Sequence, residues 1–273
     1  MLRLVGLCLL AVVMHTDAVE IIAHRGASYD APENTLASVK LGWQRGADAV
    51  EVDVYLSKDN KVVVIHDDNT KRTTGHDGLV HKMTLAQLQK LDAGSWKASK
   101  FKGEPIPSLA QVLKTVPDGK YLVIEVKCGP EIIEPLSKLF EKTNIQPSKT
   151  AIISFSYDVV VAAKKRFPNR TVYYLSGIKK NKTSLKWEPS LGFLIKKVRD
   201  AELDGLSLGF KGGDGDTRLR DYIRQTRRKT LSHKLDFYVW TVNDLHIAKM
   251  FAEVGVNGIT TDRPAFLKPI NSQ

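Results

Sequence analysis

The sequence predicts an α/β protein, a distorted (β/α)8 barrel with a small insertion after its third strand. Three observations lead there. Strand and helix patterns alternate from Val19 to about residue 267, with roughly eight or nine strands. No shift in composition marks a domain boundary along the 273 residues. Polar residues collect where the apolar strand runs end, and barrels of this class carry their chemistry at those ends. An open doubly wound sheet is the alternative for the same alternation.

Residues 1 to 18 stand apart from this pattern. Arg3 precedes the apolar run Leu4 to Met14, and the small residues around Thr16-Asp17-Ala18 follow. That order describes a signal peptide cut after Ala18. It predicts an exported protein, periplasmic or secreted, whose single domain spans 19–273. Cys128 is then the one remaining cysteine, so the domain has no internal disulfide and depends on its core. Arg3 and Asp17 leave together, so the net charge stays at +11. Such a balance suits solubilising lysines, anionic substrates or an anionic membrane surface. No zinc-finger spacing or RNA-binding aromatic motif is present, which argues against nucleic acid as the partner.

Val19 to Ala23 reads as the first strand and runs into His24-Arg25-Gly26, where the glycine permits a sharp turn. Pro32 and Asn34 mark a helix start, and the helix follows from about Thr35 to Gln44, stopping near Gly46. Residues 48 to 67, DAVEVDVYLSKDNKVVVIHD, read as two strands and a polar turn. Glu51 and Asp53 share one face of the first strand. Two carboxylates on an otherwise apolar strand are costly to bury unless a cation neutralises them. A turn at Asp59-Asn60, or at Ser57 to Asn60, sets His66 opposite Asp53 or Glu51 on that same face. A turn one residue longer or shorter faces His66 away.

Residues 68 to 120 form the insertion, with capping-box helix starts at Thr84 and Ser108 and loop between them. A connection of this length acts as a lid or lip over a site. Tyr121 to Val126 is the next strand, ending in Glu125 and Lys127, which read either as a simple ion pair or as site groups. A helix to about Lys142, a strand at Thr150–Ser154 and a helix at Tyr157–Phe167 follow. Strands at Thr171–Leu175 and Asp204–Leu208 come next, with a helix after Pro189 between them. The glycine-rich turn from Gly209 to Gly215 reads as a flexible rim loop or a phosphate cradle. A basic amphipathic helix, Thr217 to Thr230, leads to the strand Asp236–Val242. There Trp240 is either core packing or a substrate-facing wall, and Asn243 caps the helix Asp244–Val254. Gly258 to Pro264 is the last strand and its turn. Asn34 reads either as a helix cap or as a polar site group.

In a barrel the strand ends share one mouth, which gathers His24, Arg25, Glu51, Asp53, His66, Glu125 and Lys127. Three carboxylates without paired cysteines describe a hard, oxygen-rich site for one divalent cation, Mg²⁺ or Ca²⁺. Two histidines suit general acid and general base, and Arg25 and Lys127 offset an anionic substrate. Together these groups point to phosphate-ester chemistry.

The ordered set His24-Arg25-Gly26, Pro32-Glu33-Asn34-Thr35, Glu51-Val52-Asp53-Val54, His66-Asp67, Ile124-Glu125-Val126-Lys127, Val239-Trp240-Thr241-Val242-Asn243 and Gly258-Ile259-Thr260-Thr261-Asp262-Arg263-Pro264 resembles the glycerophosphodiester phosphodiesterase family. The resemblance covers about residues 20 to 267. It implies a distorted TIM barrel that hydrolyses glycerophosphodiesters to sn-glycerol 3-phosphate and an alcohol through a cyclic phosphate. It implies a divalent cation on Glu51, Asp53 and Glu125, with His24 and His66 as the acid/base pair. Arg25 and Lys127 match the basic residues on the phosphate side, and Asn34 and Trp240 complete the substrate-binding set. Two rival readings are a phospholipase D-like or C-like activity on intact lipid and an inactive, exported anion-binding barrel.

Overall fold

The computed structural model describes residues 18–210 and 217–271. The export segment, apart from Ala18, and residues 211–216 of the glycine-rich turn lie outside the described residues.

The strands are β1 (Glu20–Ala23), β2 (Ala49–Leu56), β3 (Val62–Val64), β4 (Tyr121–Val126), β5 (Thr150–Ser154), β6 (Thr171–Lys180), β7 (Trp187–Glu188), β8 (Gly205–Phe210), β9 (Asp236–Trp240) and β10 (Gly258–Thr261). Among the described residues, eight of them close a parallel barrel in the order β1-β2-β4-β5-β6-β8-β9-β10. The closing pairs are Glu20↔Gly258 between β1 and β10 and Ile22↔Ala49 between β1 and β2. β3 is antiparallel to β2, and β7 is antiparallel to the far end of β6; neither belongs to the barrel wall.

Alternation along each strand separates two cores. One set faces the helices and forms the large outer core, with Val50, Val52, Leu122 and Ile124 among its members. The other set fills the barrel, with Ile22, Ala49, Val123, Ile153, Tyr173 and Leu175. The floor of the barrel is polar but satisfied. Tyr121 and Tyr238 both donate to Glu20 Oε2, at 2.6 and 2.7 Å, and Tyr173 donates to Asp236 Oδ2 at 2.8 Å. Burial, with phenols and carboxylates alongside, pushes the Tyr121 and Tyr173 hydroxyls far above their ordinary range, so both stay protonated donors.

Helices form where the sequence supplies caps. Thr35 caps Leu36–Gln44 in a reciprocal box with Ser38, and Thr84 and Ser108 do the same with Gln87 and Gln111. Asp244, not Asn243, caps Leu245–Val254; Asn243 is turned toward Asp262 and Thr261 instead. The expected strand at 171–175 continues to Lys180, because β8 pairs with it as far as Ile178 and a hairpin with β7 adds the last two residues. The insertion has a small core of its own, Val63, Ile65, Val80, Leu88, Ala93 and Ile106, seated on one face of β3.

The turn between β2 and β3 differs from both expected forms. Ser57 and Lys61 pair across three residues, with Asn60 left-handed at φ 55°. This is one residue more than a two-residue turn. Leu56 therefore faces Val62, and Ile65 donates to Asp53 O at 3.0 Å. Continued pairing would set His66 opposite Val52 and away from the carboxylates. The ladder stops first. The chain bends at 66–68 and carries His66 back over the barrel mouth.

Gly26 is the tightest point of the first loop. Its φ is 81°, and a Cβ there would lie 2.4 Å from the backbone carbonyl carbon of Ser38. Gly26→Ala is expected to cost at least about 2 kcal/mol, from the left-handed backbone and the clash together. Urea unfolding of the variant would read this directly.

Candidate functional site

The C-terminal ends of β1, β2, β4 and β10 bring the site together. Glu51 and Asp53 point into the barrel from β2 and are 2% and 1% exposed. Glu125, on the neighbouring β4, sits level with Asp53. One oxygen from each of the three carboxylates lies within 4.8 Å of the others. Burial and the neighbouring Asp53 and Glu125 charges push the Glu51 carboxyl well above the ordinary range, against the pull of Arg25. Burial and Asp53 raise Glu125 as well, partly offset by Lys127.

The donor set fits a hard divalent cation. Glu51 Oε1 and Asp53 Oδ1 are buried with no hydrogen-bond donor, an expensive arrangement for carboxylate oxygens. The remaining oxygens are accounted for. Glu51 Oε2 accepts from the Arg25 backbone at 2.9 Å, and Asp53 Oδ2 accepts from Asn34 Nδ2 at 2.8 Å. Asn34 Oδ1 in turn accepts from the Asp53 backbone at 3.1 Å. Asn34 is thus a site group, and Thr35 takes the cap.

The two basic residues flank this centre. Arg25 Nη1 donates to Glu33 at 2.9 Å, and its Nε lies 3.2 Å from Asp53. Lys127 Nζ donates to Glu125 at 2.7 Å and lies 3.6 Å from Asp53 Oδ1. Burial lowers the Lys127 ammonium pKa, but Glu125 and Asp53 more than compensate, so it is held charged. The ion pair offered by Glu125 and Lys127 is real, and it lies inside the site.

Each histidine has its own carboxylate. His24 Nδ1 is 2.7 Å from Asp262 Oδ1. Burial alone would raise Asp262, but His24, Asn243 and Ser28 hydrogen-bond to it and hold it well below the carboxylate range. His66 Nδ1 is 2.6 Å from Asp67 Oδ1, and its Nε2 is 3.3 Å from Lys127 Nζ. In both rings the carboxylate orients Nδ1 and leaves Nε2 toward the mouth. Trp240 packs at the end of β9. Its Nε1 donates to Ser207 O at 3.1 Å, and its ring stands edge-on to Phe155, 5.3 Å away. Phe155 is 45% exposed, with Lys127 Nζ 5.8 Å from its centroid. The pair makes an apolar wall beside the carboxylates. Burial pushes the Cys128 thiol up to about 11, which disfavours its thiolate.

All nine residues singled out from the sequence lie at this mouth. The roles of four others were missed: Asp262, Asp67, Glu33 and Arg72. Asp262 was findable as a carboxylate at the end of the last barrel strand. Arg72 carried no such signal. It sits on the insertion helix Lys71–Thr74 and joins both halves of the site. It grips Glu33 through two hydrogen bonds, at 2.9 and 2.7 Å, and Asp67 through a third at 2.6 Å. These bonds lower the Asp67 carboxyl despite its partial burial. Arg72 is a positioning residue for His66 and Arg25. Arg72→Ala is expected to lower kcat by about 10–100-fold, the scale for outer partners of site ligands. A fluorogenic or coupled diester assay reads this. Lys at 72 should not restore activity, because it lacks the planar fork.

Comparison with known proteins gives concordant matches. The glycerophosphoryl diester phosphodiesterase family model matches residues 24–266. The Bacillus subtilis protein YhdW is 36% identical over 250 residues, covering 90% of this chain and 96% of its own. A glycerophosphodiester phosphodiesterase of Caldanaerobacter subterraneus is 33% identical over 252 residues, covering 90% and 95%. Among solved structures, a phosphodiesterase of Oleispira antarctica in complex with the product sn-glycerol-3-phosphate superposes with a TM-score of 0.79. It is 28% identical, and the match covers 94% of this chain and 98% of that one.

Proposed function

The chain belongs to the glycerophosphoryl diester phosphodiesterase family, and from that membership we propose that it hydrolyses glycerophosphodiesters to sn-glycerol 3-phosphate and an alcohol with one divalent cation, Mg²⁺ or Ca²⁺. The observation that carries the proposal is the buried carboxylate triad with two donorless oxygens, at a mouth that also holds two carboxylate-held histidines. Glu51, Asp53 and Glu125 would hold the cation. When bound, it supplies charge stabilisation to the phosphate oxygens.

The chain's own groups account for the rest. One histidine takes the proton of the glycerol 2-hydroxyl as that oxygen attacks phosphorus. The other gives a proton to the alcohol oxygen as its bond to phosphorus breaks. The hydroxyl and phosphorus share one molecule, so the attack gains a large effective molarity. Water then opens the resulting cyclic phosphate with the proton roles reversed. Arg25 and Lys127 face the phosphate charge, and Trp240 with Phe155 walls the substrate against bulk water. The export reading of residues 1–18 belongs to the same proposal; N-terminal sequencing of the mature protein checks it.

The test is release of glycerol 3-phosphate from glycerophosphocholine by purified protein, before and after chelation and with Mg²⁺ or Ca²⁺ added back. Release should stop with the chelator and return with the ion. Undiminished release after complete chelation would sink the cation assignment. An absence of release from any glycerophosphodiester would favour an inactive anion-binding barrel.

A further inference from the structure

We propose that the catalytic face docks on an anionic lipid surface through two lysine-rich, apolar-tipped projections on opposite sides of the mouth. The proposal concerns the surface around the site and stands apart from the chemistry within it.

The first projection is the β6–β7 hairpin. β6 pairs with β5 only as far as Tyr174, and its last two residues, Lys179 and Lys180, pair with β7 alone. Pairing with β8 keeps β6 in the wall as far as Ile178, so Lys179 and Lys180, at about 3.3 Å each, carry the strand roughly 7 Å past it on the catalytic side before the turn. Ile178 is fully buried, and the Trp187 ring packs on Tyr222 at 5.5 Å, so the base is fixed. The tip is Asn181 to Lys186. Asn181 Oδ1 accepts from the backbones of Thr183 and Ser184, and this turn holds Leu185 outward at 61% exposure. Lys182 and Lys186 share the turn with Leu185, and Lys179 lies at its base opposite Glu188, all three lysines exposed.

The second projection is the insertion loop from Ser95 to Lys102. It is tied to the mouth by Lys97, which donates to Ser28 O at 2.8 Å. Trp96 donates to Ala93 O, and its ring is left 43% exposed between lysines. Lys100 and Lys102 are exposed beside it. Ser28 follows β1, and β6 lies four places from β1 around the eight-stranded ring, so the two projections stand across the opening from each other.

Exposed leucine and tryptophan ringed by lysine suit an interface where headgroup charge meets acyl chain, and a soluble anion would have no use for them. The chain's net charge of +11 complements such a surface. The basic helix Thr217–Ser232 lies against the barrel wall instead. Ile223 and Thr226 are buried, and Arg220 and Arg227 are engaged by Glu253 and Asn257.

Cosedimentation with phosphatidylcholine vesicles, with and without phosphatidylglycerol, at about 0.1 M salt tests this. The wild-type chain should bind only the anionic vesicles. The triple variant K179Q/K182Q/K186Q should bind about 100-fold more weakly, and Leu185→Asp about 10-fold more weakly. Hydrolysis of soluble glycerophosphocholine should be unchanged in both, which reports an intact fold and separates this result from the catalytic one. Equal binding to neutral vesicles, no binding at all, or wild-type binding by both variants overturns the proposal. Retention of soluble polyphosphate, unaffected by Leu185→Asp and without vesicle binding, also overturns it and assigns the lysines to a polyanion.

Discussion

Alanine at His24 or at His66 is expected to lower kcat/KM for glycerophosphocholine by about 10²–10⁴, the range for a general acid or base. Each ring is held at Nδ1 by a carboxylate, Asp262 or Asp67, and offers Nε2 to the mouth. The two should fail differently. Loss of the base removes the acidic limb of the pH–rate profile, and loss of the acid removes the basic limb. The double variant should be little worse than the poorer single one, because the two groups act in one proton relay. Wild-type rates in either single variant would remove that histidine from the mechanism.

Glu51→Gln should produce the second large effect, and in two opposite directions. Activity should fall by at least about 10³-fold, because a cation ligand and its charge are lost together. The metal-free protein, in contrast, should melt at a higher temperature than wild type. Glu51 is buried beside Asp53 and Glu125, and its carboxyl holds its proton well above the ordinary range. A folded carboxyl with a raised pKa contributes stability that is complete below the unfolded value of about 4.3. That contribution is lost as pH rises through the raised folded value. Metal-free wild type should therefore lose stability as pH rises above the carboxylate range, and the variant should lose less. The cation reverses the sign, since it binds the deprotonated triad and stabilises more as pH rises. Thermal melts across pH, with and without Mg²⁺ or Ca²⁺, read all of this. A cation-induced rise in Tm that is equal in wild type and Glu51→Gln would remove Glu51 from the ligand set.

The barrel was legible because most of its strands are short apolar runs whose charged residues stand at or near their ends, with β2 the exception. The three carboxylates were legible for the same reason, since an acid on such a strand has few places to go. Register was not legible. Whether the β2–β3 turn holds two, three or four residues depends on one left-handed residue, Asn60, and either parity is locally acceptable. His66 reached the site through a bend after the ladder ended, which no alternation rule anticipates. Arg72 was hidden because its partners, Glu33 and Asp67, lie 39 and 5 residues away in an irregular segment. The hairpin on β6 was hidden because its lysines look like ordinary surface until the strand is seen to outrun its neighbours.

Glu20 and Asp236 with their three tyrosines close the barrel from below, and packed side chains fill the space above them. The molecule is therefore a socket with one door. A ligand on the carboxylates rests against a solid back, and both halves of a split diester must leave by the route the whole one took. Depth then decides the order of departure. On the proposed chemistry, the fragment nearer the opening would leave first, water would follow it in, and the fragment held at the triad would leave last.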